Sequence, residues 1–250
     1  MKITIIHGQS HKGSTYHITE QMKNKLCHRS NGSNDRNETN ETTETNETTE
    51  TTEIYEFFMP ADAPDYCVGC FRCIMKGENS CPHQESIQKI VKAMEESNII
   101  IVDSPTYCME MTGQLKVFFD HLAYMWLSHR PNHTMYAKVG IVVSTAAGAG
   151  AKRVSKSISH QLFWLGISKR FQLPVNVNAS SWNEVSAEIK TKIEAQTDKI
   201  AHKAMKKAAV GTKSRFMFTV MRMNQKANTW NPIDKNYWEE NGWLGKVRPW

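Results

Sequence analysis

Runs of mostly apolar residues alternate along this chain with polar loops and with apolar positions at helical spacing. The runs lie at 3–6, 54–58, 99–102, 139–143 and 171–177. Continuous apolar runs of this length are typical of strands buried on both faces of a parallel sheet. Between them, spacings such as Ile18, Met22 and Leu26 predict helices. The alternation predicts an α/β fold with a doubly wound, five-stranded parallel sheet. Pro174 interrupts the last run and favours an edge position for that strand.

Polar loops follow the first, third and fourth predicted strands. Because the carboxyl ends of parallel strands meet at one edge of a sheet, these loops are expected to form a ligand site there. The first loop leads into a helix N-terminus, which favours a phosphate group, although Ser14 can also serve only as the helix cap. The candidate ligand-binding residues are Gln9, Ser10, His11, Lys12, Gly13, Ser14, Thr15, Pro105, Thr106, Tyr107, Cys108, Ser144, Thr145, Ala146 and Gly148. For Tyr107 and Cys108, packing at the strand end is an equally open role.

Residues 29–53 form a low-complexity stretch of Asn, Glu and Thr that holds no Val, Ile, Leu or aromatic residue. This composition predicts a disordered, deletable loop between the first helix and the second strand. Residues 30–53 carry a net charge of −6 and the whole chain carries +6, so the remainder carries +12. Such a basic body attracts anions, or simply keeps its surface solvated. Without a recognised nucleic-acid motif, nucleic acid is not an expected partner.

Four cysteines form a C-x2-C-x2-C-x7-C pattern with Pro82 after the last. The chain has no apolar run near the length of about 20 residues that spans a membrane, and no signal peptide, which predicts a cytoplasmic protein with reduced thiols. Compact thiolates at this spacing can hold an iron–sulfur cluster. Zinc, and structural or redox thiols without a metal, are the alternatives. The candidate metal ligands are Cys67, Cys70, Cys73 and Cys81.

The segments HGQSHKGST, CVGCFRC, SPTYCMEMTGQLKVFFDHLAYMW and STAAGAG occur in this order within residues 1–170. Together they resemble the flavodoxin-like NAD(P)H-dependent FMN reductases, and especially the branch that includes the iron–sulfur flavoproteins. Gly8, Ser14 and the turn 105–107 match that family well. Gln9, His11 and Tyr16 stand where the family commonly has Ser, Arg and Thr, so Lys12 or a protonated His11 is expected to supply the missing positive charge.

The resemblance implies a flavodoxin fold with bound FMN, its phosphate in the first loop and its ring beside the loops after strands three and four. It implies an FMN-dependent NAD(P)H oxidoreductase in which the flavin performs the hydride chemistry and no side chain is a catalyst. The electron acceptor is expected to be a quinone, a nitro compound, free flavin or a protein. The alternative is an iron–sulfur flavoprotein that transfers electrons through a [4Fe–4S] cluster at the four cysteines. A homodimer or higher homo-oligomer is expected from the family alone.

Residues 1–210 are therefore interpreted as a flavodoxin-like FMN-binding domain, followed by an irregular aromatic extension over 211–250. We expect this extension to cover the flavin site or a neighbouring subunit, or to pack against its own sheet. The third predicted helix is expected to continue past Leu122 to Trp126, and Trp126 to lie in the helix core or at a subunit contact. The remaining cysteines include Cys27, which is expected to be a buried helix residue.

Overall fold

A computed structural model describes residues 1–30 and 52–250. Its centre is a five-stranded sheet in which every neighbouring pair of strands is parallel, in the order β2-β1-β3-β4-β5. This is the strand order of the flavodoxin-like folds, so the predicted architecture is confirmed. The edge position that Pro174 predicted is confirmed as well. The strands are β1 (Lys2–His7), β2 (Glu53–Phe58), β3 (Ile99–Pro105), β4 (Val139–Ala146) and β5 (Lys169–Asn176).

The three central strands carry side chains into both layers of the core. Successive residues of a strand point to opposite faces, so Ile99 and Ile101 join one apolar cluster while Ile100 and Val102 join the other. Helices α1 and α6 cover the first face, and α3, α4 and α5 cover the second. The helices are α1 (Ser14–Ser30), α2 (Arg72–Met75), α3 (Gln84–Glu96), α4 (Gly113–His121), α5 (Ala151–Trp164), α6 (Ala187–Ala204), α7 (Thr212–Lys226) and α8 (Pro232–Glu240).

The structure corrects two expectations about helices. Helix α4 ends at His121, because the amide of Leu122 bonds to the carbonyl of Phe119 and the chain tightens into a 3₁₀ turn. The extension is also helical rather than irregular. Helix α8 begins where Asn231 caps it and Pro232 takes its first turn, a start signal that the sequence already contains.

The insertion predicted over 29–53 lies outside the described residues, except at its ends. Arg29 and Ser30 belong to α1, and Glu53 belongs to β2. Cys27 is half-buried on α1 rather than buried. Within the described part of the chain, no helix has the length and apolarity needed to cross a membrane.

The C-terminal extension packs on its own chain through aromatic side chains. Phe218 and Trp238 are fully buried and stack with ring centroids 5.0 Å apart. They share a cluster with Leu127, Tyr136 and Phe163. These contacts join the extension to α5 and to the segment before β4, rather than to a strand of the sheet as one of the expectations had it.

Candidate functional site

A cavity of about 260 Å³ lies at the carboxyl ends of the central strands. Its walls are formed by residues of four segments. One segment runs from the end of β1 into α1, at 7–16, and the others are 103–107, 145–147 and 177–180. The three polar loops therefore meet as the parallel topology requires. The predicted residues that line it are Gln9, His11, Gly13, Ser14, Thr15, Pro105, Thr106, Tyr107, Thr145 and Ala146.

Two other predicted residues of the first loop, Ser10 and Lys12, have different roles. The Ser10 hydroxyl donates to the carbonyl of Met59 at 2.9 Å. The Lys12 ammonium lies 5.1 Å from the centre of the Tyr16 ring instead of lining the cavity. Of the two residues expected to supply positive charge, His11 is therefore the one that lines the cavity.

Three more predicted residues lie beside the lining rather than in it. Ser144 is buried, and its hydroxyl donates to the carbonyl of Ala151 at 2.6 Å. Cys108 is exposed at a tight turn with a φ of 49°. Gly148 is exposed in the loop between β4 and α5.

The sequence interpretation missed several lining residues. Their positions, rather than their types, bring them to the cavity. His7 and Asp103 occupy paired positions at the ends of β1 and β3. Aligning the ends of the first and third apolar runs in the sequence would have predicted this pairing. The segment after β5 carries no local signal of a site. The missed residues are His7, Tyr16, Asp103, Ala147, Val177, Ala179 and Ser180.

His7 and Asp103 form a buried pair in the cavity wall. The His7 Nδ1 atom lies 2.6 Å from an Asp103 carboxylate oxygen, and the His7 Nε2 atom lies 3.6 Å from Glu56. The His7 ring also stacks on Phe58 with centroids 4.4 Å apart. Burial lowers the pKa of His7, but the hydrogen bond to Asp103 and the charges of Asp103 and Glu56 outweigh it, so the net pKa is raised above 6.5.

The start of α1 contributes the groups that suit an anion. The carbonyl of Gly13 accepts the first hydrogen bond of α1, from the amide of His17 at 3.1 Å. The amides of residues 14–16 therefore have no partner within the helix. Gly13, Ser14 and Thr15 all line the cavity, and a Cβ at Gly13 would lie 2.9 Å from the His11 ring. The helix dipole adds partial positive charge at this end. A helix N-terminus of this kind suits an anion.

Thr106 lines the same cavity and has a buried polar atom without a partner among the described residues. Its backbone amide donates to the Thr145 carbonyl at 2.7 Å, which fixes the turn after β3 against β4. Its buried hydroxyl has no hydrogen-bond partner among the described residues. Such a group costs free energy unless a ligand or water satisfies it. The cavity therefore offers an anion site at one end and a free hydroxyl between the strand-end loops.

The four cysteines of the predicted metal motif lie outside the lining of the cavity. Cys67 and Cys70 are exposed, and Cys73 and Cys81 are half-buried. Burial raises the pKa of Cys73, and the charges of Cys81, Cys67 and Cys70 raise it further. The Cys73 thiol thus lies within electrostatic reach of the other three. Cys81 also lies close to two histidines that the motif did not include, His83 and His121.

Comparison with known proteins gives one family match. The model of a family described as NADPH-dependent FMN reductase matches residues 1–180. An iron-sulfur flavoprotein of Archaeoglobus fulgidus is 35% identical over 86 residues, which are 34% of this chain and 36% of that protein. The match thus spans little more than a third of this relative's length.

Two solved structures share the fold. An azoreductase from Bacillus anthracis str. Sterne has a TM-score of 0.58 at 10% identity, covering 81% of this chain and 99% of that one. An FMN-dependent NADH-azoreductase from Bacillus anthracis str. Ames Ancestor, in complex with FMN, has a TM-score of 0.54 at 12% identity, covering 80% of this chain and 100% of that one. Identities this low indicate a common fold and no more.

Proposed function

The chain belongs to the family of NADPH-dependent FMN reductases, and we propose that it is an FMN-dependent NAD(P)H oxidoreductase. It passes electrons through bound flavin to a small-molecule acceptor such as a quinone, a nitro compound or free flavin. The observation that carries this proposal is the cavity at the strand ends, which joins a helix N-terminus to a free buried hydroxyl.

The residues of the cavity fit FMN in charge and in polarity. The phosphate is assigned to the first turn of α1, where Ser14 adds a hydroxyl group to the free amides and His11 stands nearby, while the Thr15 hydroxyl pairs with that of Thr145 at 2.6 Å. The Thr106 hydroxyl is assigned to a polar edge of the flavin, because it lacks a partner among the described residues. When bound, flavin supplies the hydride chemistry, and the protein supplies position and electrostatics.

Tyr107 and Gln9 flank the mouth of the cavity. The Tyr107 side chain is 48% exposed, and the amide of Gln9 donates to its hydroxyl at 3.1 Å. This contact holds the aromatic ring in one orientation without covering it. We assign these two residues to positioning the nicotinamide or the acceptor, and no side chain to covalent catalysis.

The assignment of the Thr106 hydroxyl to an edge of the flavin can be tested by a substitution. Thr106→Val removes the hydroxyl and keeps the shape, so the FMN dissociation constant is expected to rise about tenfold, the equivalent of one hydrogen bond. The dissociation constant is measured by titrating FMN fluorescence. The control is Thr191→Val, whose hydroxyl lies on α6 and bonds to Ala187.

Wild-type protein reconstituted with FMN is expected to oxidise NADH or NADPH when a quinone or nitro compound is added. A chain that cannot be loaded with FMN would overturn the proposal. Unchanged FMN affinity in Thr106→Val would overturn the placement of the flavin beside that hydroxyl.

A second candidate function is electron transfer through a [4Fe–4S] cluster held by Cys67, Cys70, Cys73 and Cys81. The electrostatic effect of the other three thiols on Cys73 favours it, and so does the similarity to the iron-sulfur flavoprotein of Archaeoglobus fulgidus. Anaerobically purified protein would then contain iron and acid-labile sulfide in equal amounts, and Cys70→Ser would lose both. Protein without labile sulfide, even after anaerobic reconstitution, would reject this candidate.

We further propose that residues 1–210 form the FMN-binding domain and that 211–250 are an extension packed on it. A cytoplasmic location and a homodimeric or larger assembly stay predictions. The burial of Trp238 and Phe218 against the domain supports the proposed packing of the extension. Sedimentation analysis of the full chain, with and without FMN, tests the assembly.

A further inference from the structure

Three side chains that the proposed flavin chemistry does not use meet at one point of the structure. Cys81 and His83 lie in the turn that leads into α3, and His121 is the last residue of α4. One sulfur and two ring nitrogens from these residues all lie within 4.8 Å of one another. None of the three lines the cavity at the strand ends. This Cys–His–His cluster is therefore a separate candidate site.

His121 is held in the form that binds metal ions. It is 4% exposed, and its Nδ1 atom lies 2.9 Å from the carbonyl oxygen of Val117. A carbonyl only accepts, so Nδ1 carries the proton. With the proton on Nδ1, the Nε2 atom of the neutral ring carries an unprotonated lone pair, which faces His83. A carbonyl on the distal nitrogen is the usual support for a histidine ligand.

His83 completes a pair of nitrogens that face each other. Its Nδ1 atom lies 2.9 Å from the His121 Nε2 atom. Since His121 Nε2 is the acceptor, His83 Nδ1 carries the proton of this bond. A shift of that proton to His83 Nε2, within a neutral ring, frees a second lone pair toward the same point. Two nitrogens bound tetrahedrally at about 2.0–2.1 Å would lie about 3.3 Å apart, so the pair needs to open only slightly.

We propose that Cys81, His83 and His121 bind one divalent transition-metal ion, with Zn²⁺ as the best match to a thiolate and two imidazoles. Sulfur and nitrogen ligands of this kind suit zinc and exclude calcium and magnesium, which bind oxygen. Binding releases the Cys81 thiol proton and involves no redox step. Three protein ligands leave one position of a tetrahedral ion open.

Such an ion would tie the start of α3 to the end of α4. His83 is the residue immediately before α3, and His121 closes α4, so the two helices would share one metal. Cys81 is common to this site and to the four-cysteine cluster, so the two cannot be complete in one chain. The proposed metal site requires both histidines and neither Cys67 nor Cys70, whereas the cluster requires both of these cysteines. This difference can be tested.

The test titrates full-length protein, purified anaerobically and stripped with a chelator, with Co²⁺. We expect one Co²⁺ per chain, the visible bands of a tetrahedral cobalt ion and a near-ultraviolet thiolate-to-cobalt band. Zn²⁺ should displace it and abolish both signals. Binding that does not saturate, or saturation without these bands, would overturn the proposal.

Substitutions of the three proposed ligands test where the metal ion binds. His83→Gln, His121→Gln and Cys81→Ser should each weaken Co²⁺ binding by about 100-fold or more, since loss of an outer-shell partner alone costs about 10- to 100-fold. His202→Ala and Cys27→Ser, on α6 and α1, are the matched controls and should bind normally. His83 is only half-buried, so His83→Gln keeps the test valid if His121→Gln fails to fold.

The exposed cysteines provide the opposite comparison. Cys67→Ser and Cys70→Ser should leave Co²⁺ affinity unchanged, whereas an iron–sulfur cluster requires both thiols. Loss of metal in these variants with normal binding in His83→Gln would overturn the proposal, as would a sulfide-containing cluster that persists in both histidine variants. FMN affinity measured in His83→Gln is expected to equal that of wild type, so this test does not depend on the proposed flavin chemistry.

Discussion

His7 and Asp103 are single residues whose chemistry depends on a neighbour 96 positions away. Each is the kind of polar residue that ends a strand, and each is nearly fully buried. Burial alone would keep the histidine neutral, but the carboxylate at 2.6 Å raises its pKa above the ordinary value of 6.5. The pair therefore links the protonation of the cavity wall to the stability of the fold.

The raised pKa of His7 predicts how stability varies with pH. A folded-state pKa above 6.5 means that the pair's contribution to the free energy of unfolding is complete below pH 6.5. That contribution is lost as the pH rises through the raised pKa. Asp103→Asn removes the charge that raises the pKa, so this loss should become smaller. The measurement is urea unfolding of wild type and variant at pH values on both sides of 6.5.

Asp120→Asn is the control, since its carboxylate is exposed and pairs with Lys116 on the same helix. If the free energy of unfolding depended on pH equally steeply in Asp103→Asn and in wild type, Asp103 would not be the cause of the raised pKa of His7.

The connection between β4 and α5 shows how one element limits another. Gly150, immediately before α5, has a φ of 106°, in the region that favours glycine. A Cβ there would lie 2.6 Å from the Thr106 Cγ2 atom. The loop after β4 can therefore approach the turn after β3 only because residue 150 has no side chain.

Gly150→Ala is expected to destabilise the protein by about 1–3 kcal/mol, since it adds backbone strain and displaces Thr106. FMN affinity should fall with it, because Thr106 carries the free hydroxyl of the cavity. Chemical denaturation and FMN titration measure the two effects.

Gly113→Ala is the matched substitution. Gly113 starts α4, and among the described residues no atom comes within 4 Å of an added Cβ there. Its stability should be unchanged or raised by up to about 1 kcal/mol. Equal stability of the two alanine variants would contradict the close approach at Gly150.

At the scale of the whole molecule, a buried ion pair joins the C-terminal extension to the cysteine segment. Asp234 at the start of α8 is fully buried and lies 2.5 Å from Arg130 and 2.7 Å from His129. The guanidinium of Arg130 also donates to the carbonyls of Cys73 and Ile74. The extension thus fixes the backbone on which Cys73 stands.

Asp234→Asn is expected to lower the free energy of unfolding by about 3–5 kcal/mol, because it removes the closer and fully buried carboxylate from Arg130 and leaves only the half-exposed Glu78 at 3.5 Å. Hydrogen exchange should speed up in both 72–81 and 228–240, since Arg130 connects them. Thermal unfolding and mass-spectrometric hydrogen exchange measure these changes.

Asp198→Asn is the control for this whole-molecule effect. Its carboxylate pairs with Arg29 at the surface, where such pairs contribute about 0–1 kcal/mol. Faster exchange in the extension alone, with the cysteine segment unchanged, would show that the two parts are not coupled.

Much of the fold follows from local patterns. The apolar runs predicted the five strands because a buried parallel strand needs apolar side chains on both faces, and Pro174 marked the edge because it cannot donate to a ladder. The end of α4 and the helices of the extension were predicted wrongly. Apolar spacing continues past Leu122, so only the hydrogen bond to Phe119 reveals the 3₁₀ turn.

The sequence by itself determined the sheet, the loops that meet at its carboxyl edge and the residue types of an anion site. These properties depend on neighbours in the chain and on one rule of parallel topology. Only the tertiary structure decided which of those residues face the cavity, that Thr106 has a free hydroxyl and that residues 177–180 complete the wall. It also brought His121 to Cys81 and His83, because contacts between residues far apart in the chain depend on how helices pack, which no local spacing records.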